Sequence, residues 1–387
     1  MDGRSGTSRI SGTDKRQEKG LLWKIVRFLR HFLFLLPAAA ALLIYFLIPR
    51  FPQFAETVFA RGLFRLVSVP LGMVSSLFPF SLTELAAVAA LPVFIGLLVK
   101  LLRRLRRSGN RARTAARAGK TAGWSLSIVL LGYMLLHGAN FYRLPVSELL
   151  ELDMSQKSPE FLQAVCIDLA QRASAAREEL PEDENGRTVL SSSLNDVLCR
   201  AGDGYKVLDD RYSFLWGTVN RGKPVKLSHW WSYTQITGMY FPFFAEGNIN
   251  IDQPDFDIPV TAAHELAHTR GFAREDECNF FACLSCFENP SPDYRYSGYL
   301  MAYVYCSNAL YGYDEDMWLA TRAYCSEGVK ADLRQRNEYW AQFEGKVQEV
   351  STAVNNTFLE IQGTDDGVLS YNRVVALLLA YYEKEGR

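Results

Sequence analysis

No histidine follows His268 in this chain of 387 residues, and only five occur at all. A metal centre built at His268 therefore cannot take a third imidazole from downstream and has to finish with a carboxylate or a thiolate. Net charge is missing too, since 42 basic residues are offset by 42 acidic ones. The balance itself favours no partner; what matters is where the basic residues stand. Fixed charge is absent between Arg30 and Arg50, and the apolar stretches 81–102 and 121–142 carry only Glu84 and Lys100. Uncharged runs of that length predict membrane spans rather than buried core helices.

The richest stretch of what is present is His264-Glu265-Leu266-Ala267-His268. On an α-helix, residues i and i+4 share a face, so both imidazoles can reach one ion while Glu265 projects toward a water on it. Upstream, Asp257-Ile258-Pro259 offers an N-cap and a proline in the first turn, and Gly271 stands where a C′ residue ends a helix. A catalytic zinc takes three protein ligands and leaves one position for water. On a continuous helix Glu275 would stand about 10 Å further along the axis, too far for the same ion. A turn at Gly271 and a second helix from near Arg274 are therefore required. Glu275 and Asn279 then form an i,i+4 pair, with Glu275 as third ligand and Asn279 supporting a histidine. Glu277 is the alternative ligand. The donor expected to stabilise an oxyanion is open among His229, Tyr296 and Tyr299. Asp252, Asp255 and Asp257 read as loop solvation and capping, because their spacing lacks the further carboxylate of a calcium loop.

The run from His264 through Gly271, Glu275 and Asn279 to Phe280 resembles the signature of a bacterial family of membrane-anchored, zincin-like proteins known only as a domain of unknown function. Lys223-Pro224-Val225, Gly238-Met239-Tyr240-Phe241-Pro242-Phe243 with Glu246 and Asn250, and Tyr296-Ser297-Gly298-Tyr299 are similar to its remaining blocks. The resemblance covers nearly the whole chain. It implies a gluzincin-type site in which His264 and His268 ligate, Glu265 is the base and Glu275 completes the coordination. The chain departs from the pattern at Cys278, where alanine is usual. The family carries no substrate.

The expected fold is α+β: a three-helix transmembrane region followed by a mostly helical zincin-like domain with a small edge-stranded sheet. Residues 1–30 form a cytoplasmic basic arm, 31–143 the membrane region and 144–387 the extracytoplasmic catalytic domain. The apolar stretch 59–80 holds Arg61, Arg65, Gly72 and prolines, and reads as interfacial or re-entrant rather than as a fourth crossing. Basic residues crowd the arm and the loop 103–120 but are sparse in the first loop, which places arm and second loop inside and everything after Tyr142 outside. Anionic lipid is the expected partner of that basic loop, in preference to nucleic acid. The first apolar run is longer than a signal-peptide core, and two more follow it.

Seven cysteines, an odd number, all fall in the outer domain, where an oxidising setting favours pairing. Cys283 and Cys286 lie in an apolar run that reads as a buried helix. Helical spacing is expected over 158–178, 190–200, 299–310, 326–358 and 371–383, and Gly238 to Phe243 is the strongest strand, demoted to an edge by Pro242. An edge strand beside the metal helix, Tyr240 to Phe244, could hold an extended peptide by strand addition. The expected function is zinc-dependent hydrolysis of peptide bonds in a peptide or protein substrate at the cell membrane. The alternative is a non-catalytic membrane sensor or scaffold with a zincin-like binding domain. An intramembrane protease is disfavoured, because the motif follows the water-facing run Asp252 to Asp257.

Overall fold

The computed structural model describes residues 32–218, 221–361 and 369–386. The basic arm of residues 1–30 lies outside them. Helices dominate the described residues, with one sheet of three strands. The described residues form two compact units, one made of those up to Phe46 with Ile95–Met134, the other of Leu47–Phe94 with those from Leu135 onward.

Among the described residues, four helices are long and apolar enough to cross a membrane: α1 (Leu33–Arg50), α2 (Pro52–Ser76), α3 (Leu82–Arg107) and α4 (Arg111–Leu136). That is one more than the sequence reading counted, and the addition is α2. It opens with one α-turn, runs through ten residues of π-helix at Ala55–Phe64 and ends as α-helix at Arg65–Ser76. Its Glu56, Ser68, Gly72 and Ser75 are buried, whereas Leu63, Leu66, Met73 and Val74 are exposed. In the half from Arg65 to Ser76 this reverses the pattern of an amphipathic helix in water, which hides its apolar stripe, while the π-helical half still buries Phe59 and Phe64. The start, middle and end of α2 are all held by the rest of the larger unit, to which it belongs. Glu56 pairs with Arg143 at 2.7 Å, Arg65 donates to the Phe214 carbonyl at 2.6 Å, and Lys223 donates to the Ser75 carbonyl at 2.5 Å. Glu56 and Ser75 are roughly 25 Å apart along such a helix, so α2 lies along the domain.

In the helical part of the larger unit, α5 (Pro159–Arg177) is capped by Ser158, whose side chain accepts from the Phe161 N–H. Strand β1 (Lys223–Val225) runs parallel to β3 (Glu246–Asn250), and β2 (Gly238–Phe241) pairs antiparallel with β3 in the order β1-β3-β2. The expected edge strand is therefore present but stops at Phe241, where a turn closes through hydrogen bonds from Phe244 to Phe241 and from Ala245 to Pro242.

Helix α6 (Ile258–Thr269) packs on β2 and β3 and against α7 (Glu275–Phe287). Its apolar residues Ala262, Ala263, Leu266 and Ala267 are fully buried, which suits a helix walled in on several sides. α8 (Pro292–Tyr313) packs along α5, and α10 (Leu369–Lys384) closes the core with Val374, Leu377, Leu378 and Tyr381, an i, i+3, i+4, i+7 stripe. Between them, α9 (Glu327–Ala341) is shorter than expected. The stretch read as helical over 326–358 breaks before Lys346–Ile361, at Gly345, whose φ of 147° excludes a continuous helix. The seven cysteines are unpaired, and all but Cys199 are buried. Cys283 and Cys286 sit in the core, and burial pushes the Cys283 thiol up to about 12.

Candidate metal centre

The ends of α6 fix the site. Asp257 stands at the N-cap position and Pro259 follows in the first turn, but the Asp257 side chain makes no cap bond. It accepts instead from Arg336 Nε at 3.1 Å, and the helix's orphan N–H at Val260 is satisfied by Ser297 Oγ at 3.0 Å. At the other end Gly271 takes φ +83°, and its N–H bonds the His268 carbonyl while that of Phe272 reaches back to Ala267. This left-handed turn folds the chain back. Arg143 steadies it by donating to the Gly271 carbonyl at 2.9 Å, with its guanidinium 3.9 Å over the Phe272 ring and its charge paired with Glu56.

The fold-back carries Glu275, the first residue of α7, to the two histidines. His264 Nε2 lies 3.0 Å from Glu275 Oε2 and His268 Nε2 lies 3.6 Å from Glu275 Oε1. One ligand atom from each of the three lies within 4.8 Å of the others, so the cluster could hold a metal ion. The opposite ring nitrogens are engaged. His264 Nδ1 faces Asn279 Oδ1 at 2.8 Å, and His268 Nδ1 faces the Phe272 carbonyl at 2.9 Å, with Cys278 Sγ 3.4 Å away. Both acceptors call for a proton on Nδ1, which leaves the two Nε2 lone pairs to converge beside the carboxylate. Without a metal, burial works against charge on His264, yet its hydrogen bond and ion pair with Glu275 win and raise it to about 9. Burial likewise opposes charge on Glu275, and the two histidines pull it down to about 2. That shared proton stands where a cation would satisfy all three groups.

Glu265, the next residue along the helix, is turned against Gly238 and Gly247 and lies within electrostatic reach of His264 and Glu275. Its approach depends on Gly238 and Gly247: a Cβ on Gly238 would lie 2.4 Å from Glu265 Oε1, and one on Gly247 2.6 Å from Glu265 Cβ. The residue is buried, and its Oε2 finds no hydrogen-bond partner among the described residues. Burial raises the carboxyl to about 8. Positive charge where the three ligands meet would favour its ionised form, so the donor set and this orphan oxygen together fit a metal with a water beside it.

Two further residues join the cluster that the sequence did not single out for it. Tyr240 of β2 stacks on His268, with ring centroids 5.7 Å apart, and its buried hydroxyl has no partner among the described residues. His137, the residue after α4, lies 5.8 Å from His268 and 5.6 Å from Tyr240, ring to ring. Burial and the neighbouring His268 hold His137 down to about 3, so its ring is neutral. The only sequence signal was scarcity: three of the five histidines meet here.

The remaining candidates stand elsewhere. Glu277 accepts from the Val146 N–H at 2.8 Å and from Arg274 at 2.7 Å, and braces the chain after α4. His229 is exposed and bonds Asp252. Tyr296 donates to Asp332 at 2.6 Å in the core, and Tyr299 stacks on Phe287. Asp252, Asp255 and Asp257 serve Tyr339, Leu190 and Arg336 respectively and share no common point. Neither a search of curated proteins nor one of solved structures finds a match to the chain. Residues 59–379 match the family described as protein of unknown function (DUF3810), and with that much of its length covered the chain belongs to this family.

Proposed function

We propose that this protein is a membrane-anchored, zinc-dependent peptide hydrolase whose catalytic domain faces away from the cytoplasm. The observation that carries the reading is the buried, unpartnered Oε2 of Glu265 beside two imidazoles and a carboxylate converging on one point. A purely structural metal has no use for such a base and usually fills all four positions from the protein. Zinc held by His264, His268 and Glu275 would supply the positive charge that acidifies water and polarises the scissile carbonyl. Glu265 takes a proton from the attacking water and passes it to the amide nitrogen. The C–N bond breaks, the water oxygen stays on the carbonyl carbon, and a carboxylate and an amine leave. The Tyr240 hydroxyl donates to the carbonyl oxygen as negative charge gathers there, with its ring held against His268 and His137. Edge strand β2 offers its backbone to an extended substrate.

The contacts of α2 along the domain support three crossings, α1, α3 and α4, with α2 in the membrane surface. The basic loop 103–120 then lies inside, against anionic lipid.

The test is zinc content and cleavage of a peptide library by the full chain in detergent, beside Glu265→Gln. About one zinc in both proteins, with cleavage by wild type alone, is the expected result. Zinc in both and cleavage by neither would favour a sensor or scaffold, and zinc in neither would remove the metal site.

A further inference from the structure

Resting on the hydrolase reading, we infer that the substrate is a polypeptide held in the membrane and cut within a few residues of the bilayer surface. The elements that frame the site adjoin the ends of apolar helices. α4 ends at Leu136, and the very next residue, His137, packs its ring on His268 and Tyr240. On the opposite side α3 begins at Leu82. The Leu82 and Thr83 N–H groups donate to the Glu246 carboxylate at 3.3 and 3.0 Å, and Ser81 Oγ bonds Asn248 at 2.6 Å. Glu246 and Asn248 flank Gly247, the residue of β3 against which Glu265 is pressed. The base thus sits one strand from the start of one apolar helix, and the metal cluster one ring from the end of another. α2, with Leu66, Met73 and Val74 turned outward, adds a third apolar border.

A catalytic point so close to helix ends lies on the order of 10 Å above the hydrocarbon, the reach of about three to five extended residues. A bond in a soluble folded protein is kept from that depth by the bulk around it. A chain emerging from the bilayer passes through it and can lie along β2 as it does so. Shared anchoring also raises the effective concentration of substrate over enzyme.

The experiment places the full chain in phosphatidylcholine and phosphatidylglycerol vesicles with a randomised peptide pool bearing a C-terminal palmitoyl-lysine, behind flexible spacers of increasing length. The same pool without the palmitoyl group is the soluble control. The expected result is cleavage of the anchored pool at least ~10-fold faster at short spacers, the advantage shrinking as the spacer grows. Equal rates for anchored and soluble pools, or an advantage independent of spacer length, would overturn the inference. A fluorescent amino acid at position 239, beside Tyr240, gives a readout without hydrolysis. Quencher-bearing lipid headgroups should dim it, and undimmed emission also overturns the inference. Dimming with no cleavage of either pool would instead sink the hydrolase reading and leave the site at the bilayer surface.

Discussion

Glu265 and Tyr240 carry the two buried oxygens of the site that lack a partner among the described residues, and each is held there by its neighbours rather than by its own bonds. A buried polar group left unsatisfied costs about 1–3 kcal/mol, so two of them in one site need a use. For Glu265 the use is proton transfer, and for Tyr240 it is donation to an oxyanion. Tyr240→Phe keeps the ring on His268 and removes only the hydroxyl. The expected outcome is a fall in kcat of about 10²- to 10³-fold with KM and zinc content unchanged, read by steady-state kinetics beside metal analysis. Zinc loss in that variant would make Tyr240 a support of His268 instead. His229, Tyr296 and Tyr299 were the donors that sequence suggested, and no spacing rule could have replaced them with Tyr240. Its place beside His268 depends on the pairing of β2 with β3, a contact that local sequence does not encode.

At the scale of elements, the α6–turn–α7 unit was legible because everything it needs is local. The i,i+4 histidines, the glycine at the turn and the i,i+4 pair of Glu275 and Asn279 all lie within sixteen consecutive residues, from His264 to Asn279. What escaped notice was long-range. The Asp257 cap was given up to Arg336, and α2 became a strut whose Glu56 reaches Arg143, which in turn holds the turn at Gly271; the break in 326–358, by contrast, is local and falls at Gly345. That strut makes a prediction. Both partners are about 1% exposed, and Glu56 also accepts from the part-exposed Arg61 at 2.7 Å, so removing Arg143 leaves the buried carboxylate with one partner, at a cost of about 2–3 kcal/mol, below the ~3–5 kcal/mol of a buried charge left wholly unpaired. Arg143→Met should therefore lower stability by that order in thermal unfolding and weaken zinc binding, since the Gly271 carbonyl loses its donor. Adding Glu56→Gln should return a good part of the stability but not the zinc affinity. A double variant no more stable than the single one would show that the pair is not the cause.

For the whole molecule, neutral net charge hides a division of labour between a basic loop, long apolar helices and a larger unit whose buried charges are mostly paired. Asp209, on the helix Asp203–Arg211, is an exception with a consequence for stability. Its Oδ1 has no partner among the described residues, and burial outweighs the attraction of Arg270 and Arg65, raising the carboxyl to about 6 from an ordinary 3.8. The folded protein therefore binds this proton more tightly than the unfolded chain does. The contribution is fully present below about pH 3.8, is lost as pH rises to about 6, and is flat beyond. An asparagine in its place would mimic the protonated form at every pH, so Asp209→Asn should be more stable than wild type at pH 7, by about 1–2 kcal/mol once partial solvent access is allowed for. Between pH 6 and 4 the two unfolding midpoints should converge, because wild type acquires the proton that the amide replaces. Parallel melting curves across that range would mean that Asp209 ionises at its ordinary pKa in the fold, the arginines beside it offsetting its burial.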